Sequence, residues 1–157
     1  MYEFKLIYGK EGYEKTKELR ESVFMDEQGF SYDADDKDEI SWHIAGYEKG
    51  LLMSAARMFQ IGDGVFTIGR VAVKKEYRGQ YVGDTLLRAL EDKAVQLKGY
   101  LIEIGAQEQA VGFYEKEGYT KNGKEYDVEG VKHFEMIKDL TKPFRRCEGC
   151  KNKERNE

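Results

Sequence analysis

Cysteine and proline are almost missing from this chain, and histidine and tryptophan are nearly as scarce. The two cysteines, Cys147 and Cys150, sit close together near the C-terminus, so no disulfide framework can staple the body of the protein. The single proline is Pro143, which leaves the preceding chain free of the residue that most often breaks helices and strands. No apolar run reaches the length of a membrane-spanning helix, and the first residues lack the basic-then-apolar form of a secretory signal. Acidic residues outnumber basic ones, for a formal charge of −4, so the chain as a whole offers no basic surface to nucleic acid. The expectation is a cytoplasmic protein in a reducing setting, with neither nucleic acid nor a membrane as partner.

A chain of 157 residues is enough for one domain with a sizeable core. Its apolar fraction of 40%, with many tyrosines and phenylalanines, argues against disorder despite the high charge. The domain is expected over residues 1–140, followed by a polar tail, 141–157, that carries the Cys147-Glu148-Gly149-Cys150 motif. A zinc site there would need two further ligands and a redox role would need a thioredoxin-like context, so two exposed thiols are the simpler reading and no metal is assigned.

Periodicity orders the elements. Tyr2 to Tyr8 alternates as a strand; Glu11 to Phe24 is helical, with a short helix or turn over Asp26–Gly29. An acidic run, Asp33, Asp35, Asp36, Asp38 and Glu39, follows as a loop. It would either attract a cationic amine or remain a solvated loop; it is not an EF-hand, because Lys37 and Asp38 stand where a ligand and a glycine are needed and Ile44 replaces the closing glutamate. Trp42–Tyr47 and Leu51–Phe59 form a hairpin around Glu48-Lys49-Gly50, and Val65–Val73 is the next strand. A long helix spans Val82 to Lys98 and closes at Gly99. Leu101–Ile104 is a short strand, Glu108–Glu117 a helix, and Tyr119–Tyr126 with Val131–Ile137 a final hairpin. The order β-α-(α)-β-β-β-α-β-α-β-β implies an α/β fold with an antiparallel front and a βαβ crossover behind.

The stretch between the central strand and the long helix carries the chemistry. Arg78-Gly79-Gln80-Tyr81-Val82-Gly83 lies where a strand feeds a helix, whose first N–H groups have no intrahelical partner and attract anions. The spacing matches neither a P-loop nor a dinucleotide fingerprint. It resembles motif A of the GNAT acetyltransferases, Q/R-x-x-G-x-G/A, with Arg78 first and Gly83 last. Tyr81 replaces the middle glycine, a departure that disfavours a positive φ and close backbone approach. By this resemblance, Arg78, Gly79, Gln80, Tyr81, Val82, Gly83, Asp84 and Thr85 would hold the pyrophosphate of acetyl-CoA. Val71, Ala72 and Val73 would present strand amides to its pantetheine arm, in a mixed sheet of six to seven strands with splayed parallel central strands and flanking helices.

A second stretch, Gln107 to Tyr119, is similar to motif B of the same family, N-x-x-A-x-x-x-Y-E-K-x-G-F, with Gln107 in place of asparagine. The resemblance implies that Gln107 contacts the cofactor and that Tyr114 protonates the departing CoA thiolate, a task that suits a phenol neutral at pH 7. Glu18-Leu19-Arg20, Val23 to Gln28, Asp36, His43, Gly105-Ala106-Gln107 and the series Gly123, Tyr126, Gly130, His133, Met136 resemble the ElaA/YjcF-type branch. An acceptor amine must lose a proton. His43, His133, Glu27 and Glu103 are candidate bases, of which His133 is favoured as the catalytic one, while Glu27 and His43 are assigned to substrate binding. The implied activity is transfer of the acetyl group of acetyl-CoA to a primary amine of a small molecule or peptide, by direct attack in a ternary complex. A non-catalytic acyl-CoA-binding module is the alternative, a partner-binding protein working through its CxxC tail is a third, and assembly into a homodimer is left open.

Overall fold

The computed structural model describes residues 2–31 and 33–142. Seven strands form one sheet in the order β1-β2-β3-β4-β5-β7-β6, at the upper end of the expected number. They are β1 (Tyr2–Tyr8), β2 (Trp42–Glu48), β3 (Leu51–Gly62), β4 (Val65–Val73), β5 (Leu101–Gln107), β6 (Thr120–Val128) and β7 (Val131–Asp139). The helices are α1 (Lys10–Arg20), α2 (Val82–Gln96) and α3 (Val111–Lys116). Every strand pairing is antiparallel except β4 with β5, the pair joined by the α2 crossover.

Each face of the sheet has its own core. On one, Leu86, Leu87, Leu90 and Ala94 of α2 are fully buried against Ile44, Met58, Phe66, Ile68, Ile102 and Ile104. Burying each of those leucines is worth about 1.5–3 kcal/mol, which makes this stripe the main reason α2 is a helix in the folded chain. On the other face, Leu19, Val23 and Phe24 pack on Ala55 and Ala72. Helix α1 lies close to the sheet at Gly12, where a Cβ would stand 2.4 Å from the Ile7 carbonyl oxygen and 2.6 Å from the His43 ring.

Three local readings are revised. The first helix does not stop at Phe24 but runs on as a π-helical segment, Glu21–Glu27, which displaces Phe24, Glu27 and Gln28 from the register of a plain α-helix. The long helix is closed by Lys98, which takes the left-handed conformation (φ 66°), while the Gly99 N–H reaches back to the Ala94 carbonyl at 2.7 Å. The acidic run is not a solvated loop throughout: Asp35 caps a 3₁₀ turn, Asp36–Ile40, and both Asp33 and Asp38 are buried.

Strands β4 and β5 pair over three positions alone, Val65–Leu101, Phe66–Ile102 and Thr67–Glu103, and then part. The cause lies on the other edge of β4. Its register with β3 steps from Ala72–Ala55 to Gly69–Arg57, so one extra residue bulges out, and Arg70 adopts φ 52° there. A bulge increases the local twist and bends its strand, here away from β5. The split leaves β4 residues beyond Thr67 without a partner on that edge, and such backbone groups call for one.

Candidate active site

A cavity of about 430 Å³ opens at this split, a size suited to a small molecule. Thr67, Ile68, Gly69, Arg70 and Val71 form one wall, with Gly105, Gln107 and Gln109 opposite. Phe24 and Gln28 reach it from the π-helical segment, and Tyr126, Val128, Glu129 and His133 from the last hairpin.

Tyr114 enters from α3, a helix anchored by Val111 in the core. Its ring meets the edges of Phe113 (5.1 Å) and Tyr119 (5.8 Å). Tyr119 is fixed in turn by donating to Glu91 at 2.7 Å, whose other oxygen takes Lys138 Nζ at 2.9 Å. Burial drives the Tyr114 phenol well above its ordinary pKa, so it holds its proton at neutral pH. The hydroxyl has no hydrogen-bond partner among the described residues.

His133 stands opposite Gln107 on β5 and opposite Tyr126 on β6, so the register aligns all three across adjacent strands. Its Nδ1 lies 2.8 Å from the Val131 carbonyl. A carbonyl only accepts, so Nδ1 carries the hydrogen and Nε2 is left as the basic nitrogen. The Tyr126 ring stacks on the imidazole at 5.5 Å, and burial, then the charge of Glu135, raises its phenol pKa. Gly105 makes room for this ring, since a Cβ there would stand 2.2 Å from the Tyr126 hydroxyl oxygen. Sequence reasoning assigned Tyr126 no role. Its one signal in the sequence was its place in the series shared with the ElaA/YjcF-type branch; the hairpin register is what sets it beside His133.

Gln107 donates to Gln28 at 2.8 Å and accepts from Gln109 at 2.6 Å, an amide chain along the cavity wall. Of the three expected pantetheine contacts, Val71 lines the cavity. Ala72 and Val73 are paired with β3, Ala72 is buried, and the Val73 carbonyl accepts from Arg78 Nε at 2.8 Å.

Residues 78–85 lie apart from this cavity's wall, at the start of α2. Tyr81 precedes the helix in the left-handed conformation (φ 65°, ψ 14°), so the backbone takes the glycine-like shape even though the residue is not glycine. That costs about 1–2 kcal/mol. No side chain caps the first turn of α2, and the amides of a helix start of this kind suit an anion. Thr85 Oγ1 donates to the Tyr81 carbonyl at 3.0 Å, and Gln80 donates to the Glu76 carbonyl at 3.2 Å. An uncapped helix start beside an unpaired strand edge fits a phosphorylated acyl carrier with an extended arm.

Two assigned acceptor residues are elsewhere. His43 is buried beneath α1, its Nε2 2.9 Å from the Asp38 carbonyl, outside the cavity. Burial lowers its pKa, and hydrogen bonding to Asp38 only partly opposes this. Glu27 makes a bidentate pair with Arg78 (2.7 and 2.8 Å), which lowers its own pKa and occupies the guanidinium assigned to phosphate. Glu103 is held in the paired part of β5 and does not line the cavity. The acidic run offers no free carboxylates to a cation at its buried positions. Asp38 takes Arg20 at 2.7 Å and Arg57 at 2.8 Å, Asp33 takes Arg20 and Arg70 in ion pairs of 2.8 and 2.9 Å, and Asp35 pairs with Arg57. Lone acidic spacing could not reveal that three distant arginines fill it.

The acetyltransferase (GNAT) domain model matches residues 8–140. The chain belongs to the GNAT acetyltransferase family. Within it, this GNAT chain falls in the ElaA/YjcF branch. It is 34% identical over 124 residues to the uncharacterized N-acetyltransferase YjcF of Bacillus subtilis, covering 77% of this chain and 88% of YjcF. It is 30% identical over 129 residues to protein ElaA of Escherichia coli, covering 78% and 84%. The crystal structure of E. coli ElaA superposes with a TM-score of 0.79 over 88% of this chain and all of that one (100%), at 26% identity. An acyl-CoA N-acyltransferase from Pseudomonas aeruginosa shares the fold alone, at 22% identity and a TM-score of 0.77 over 88% and 99% of the two chains. The GNAT family accounts for an enzyme of acyl transfer in general.

Proposed function

We propose that this enzyme transfers the acetyl group of acetyl-CoA to a primary amine of a small molecule, in the cytoplasm and through a ternary complex. The observation that carries this reading is the split between β4 and β5, which opens on a cavity lined by both Tyr114 and His133. The amides of Val82 to Asp84 would hold the pyrophosphate, with Arg78 joining them if it leaves Glu27. The open edge of β4 around Val71 would pair with the pantetheine arm and orient the thioester, which supplies the activated acyl carbon. His133 Nε2 accepts the proton that frees the amine lone pair, directly or through water. The amine nitrogen then bonds to the acyl carbon, the carbon–sulfur bond breaks, and Tyr114 donates its phenolic proton to the sulfur. The attacking nitrogen releases its second proton, which restores the phenol through solvent, while His133 gives the proton it took to bulk water; amide, CoA and one solvent proton result. Burial raises the pKa of thiol and phenol alike in a dry cleft, which supports a phenol as the acid. The deciding experiment follows CoA release with acetyl-CoA and a panel of primary amines. Amide product from at least one amine is expected. Tight acetyl-CoA binding with no turnover across the panel would replace this reading with the non-catalytic acyl-CoA-binding module.

A further inference from the structure

The cavity has a charged pole that acyl transfer itself does not use. Five residues of charge-bearing type line it: Asp33, Arg57, Arg70, Glu129 and His133. Asp33 is neutralised, with Arg20 Nε 2.8 Å from one oxygen and Arg70 Nε 2.9 Å from the other. Arg57 commits both terminal nitrogens to Asp35 and Asp38. Glu129 is exposed and takes the Ser31 N–H at 3.1 Å. Arg70 differs. Its Nε and Nη2 are spent on Asp33 and Asp35, but Nη1 has no partner among the described residues, and the side chain keeps 30% of its surface exposed. The cavity therefore meets the guanidinium side of a neutral cluster, because Asp35, the partly exposed carboxylate, is not part of its wall.

Arg70 is also placed with unusual rigidity. It is the bulged residue of β4, at φ 52°, a conformation costly for a side chain of its kind and sustained only where surrounding contacts enforce it. Asp33 and Asp35 supply those contacts and are themselves tied to Arg20 and Arg57. A donor fixed in this way loses little entropy when a ligand engages it. Around it the wall is apolar and aromatic: Phe24, Phe30, Phe59 and Val128.

We infer that the acceptor is an amine bearing a carboxylate, an amino acid with an apolar side chain, and that Arg70 Nη1 binds this carboxylate. A polyamine or an aminosugar would bring positive charge or hydroxyls to a pole marked by the Arg70 guanidinium, where the buried carboxylates are all committed and the one exposed carboxylate on the wall, Glu129, takes the Ser31 N–H. The inference rests on the acyl-transfer reading for the fate of the amine, but recognition of the carboxylate is measurable by binding alone.

The test titrates phenylalanine, leucine and methionine, each against its own carboxamide, into the full-length protein saturated with CoA, using calorimetry. The acid of at least one pair is expected to bind ten-fold or more tightly than its amide. Arg70→Gln should bring that ratio close to one, and Arg70→Lys, which keeps the charge, should retain part of it; a thermal melt confirms that each variant folds. Amides that bind as tightly as acids in every pair overturn the inference, as does a preference that survives Arg70→Gln or the absence of binding in every pair. CoA release with acetyl-CoA and the same compounds separates the two readings. A carboxylate preference without CoA release leaves the Arg70 site standing and removes acetyl transfer. Release with equal kcat/KM for acids and amides does the reverse.

Discussion

At the scale of single residues, the two proposed proton carriers differ in what they should change. Tyr114 acts at bond breaking, so Tyr114→Phe, which keeps the ring packed between Phe113 and Tyr119, should lower kcat by about 10²-fold or more. Acetyl-CoA affinity, measured by calorimetry, should stay within a few-fold. Wild-type turnover in this variant would reduce Tyr114 to a packing residue. His133 acts before the attack, so its loss should show in the pH profile. With Nδ1 donating to Val131, Nε2 is the nitrogen that takes the proton. In His133→Gln the amine must arrive already neutral, so kcat/KM should be depressed most near pH 7 and should recover as pH rises toward the amine's own pKa. A profile parallel to wild type would assign the base elsewhere.

At the scale of elements, the start of α2 and the bulge of β4 set the two ends of the site. Gly83 is buried in the first turn of α2, the end of the helix proposed to receive the pyrophosphate. Gly83→Asp adds bulk and a negative charge there and should weaken acetyl-CoA by more than about 2 kcal/mol in a titration, with the fold intact by circular dichroism. Unchanged affinity in the folded variant would remove the pyrophosphate from this loop. The Glu27–Arg78 pair links this loop to the π-helical segment, which also sends Phe24 and Gln28 to the cavity wall. One short irregular stretch thus touches both the proposed cofactor side and the acceptor side.

At the scale of the whole molecule, the buried ion cluster and His43 set the response to acid. Burial alone would raise the Asp38 pKa, but the hydrogen bonds and charge of Arg20 and Arg57 outweigh it and hold the group at about 2. Unfolded, the same carboxyl titrates near 3.8. The stability it contributes is therefore complete above about pH 4 and is lost as pH falls toward 2, an effect on the order of 2 kcal/mol. His43 acts at higher pH. Its folded pKa is depressed by burial, and its Nδ1 has no partner among the described residues to receive a donated proton. As pH drops through about 6.5, the unfolded chain takes up a proton that the folded chain refuses, and stability declines. Urea unfolding at a series of pH values should show a plateau above neutrality and two downward steps. Asp38→Asn leaves Arg20 and Arg57 short of a counter-charge, should cost about 3–5 kcal/mol and should flatten the lower step; an unaltered acid limb in that variant would assign the step to other carboxylates.

The order of elements was legible in the amino-acid sequence, because strand alternation and the α2 stripe from Val82 to Ala94 are local patterns that a core on each face merely accepts. The loop from Arg78 to Gly83 and the segment from Gln107 to Tyr119 were legible as family motifs for a similar reason: each motif is local to one continuous stretch of chain. Other features depend on pairings between distant segments. Asp33 and Asp38 read as a charge run because Arg20, Arg57 and Arg70 reach them only through α1, β3 and β4. His43 and His133 both read as strand histidines, with His133 favoured as the base; only the tertiary structure buries His43 beneath α1, and only the β5–β7–β6 register sets His133 beside Gln107 and Tyr126. Tyr81 in the left-handed conformation and the bulge at Arg70 run against local preference and persist because the surrounding fold enforces them. Local periodicity and motif spacing determined the architecture; long-range charge pairing and strand register decided which side chains face the cavity.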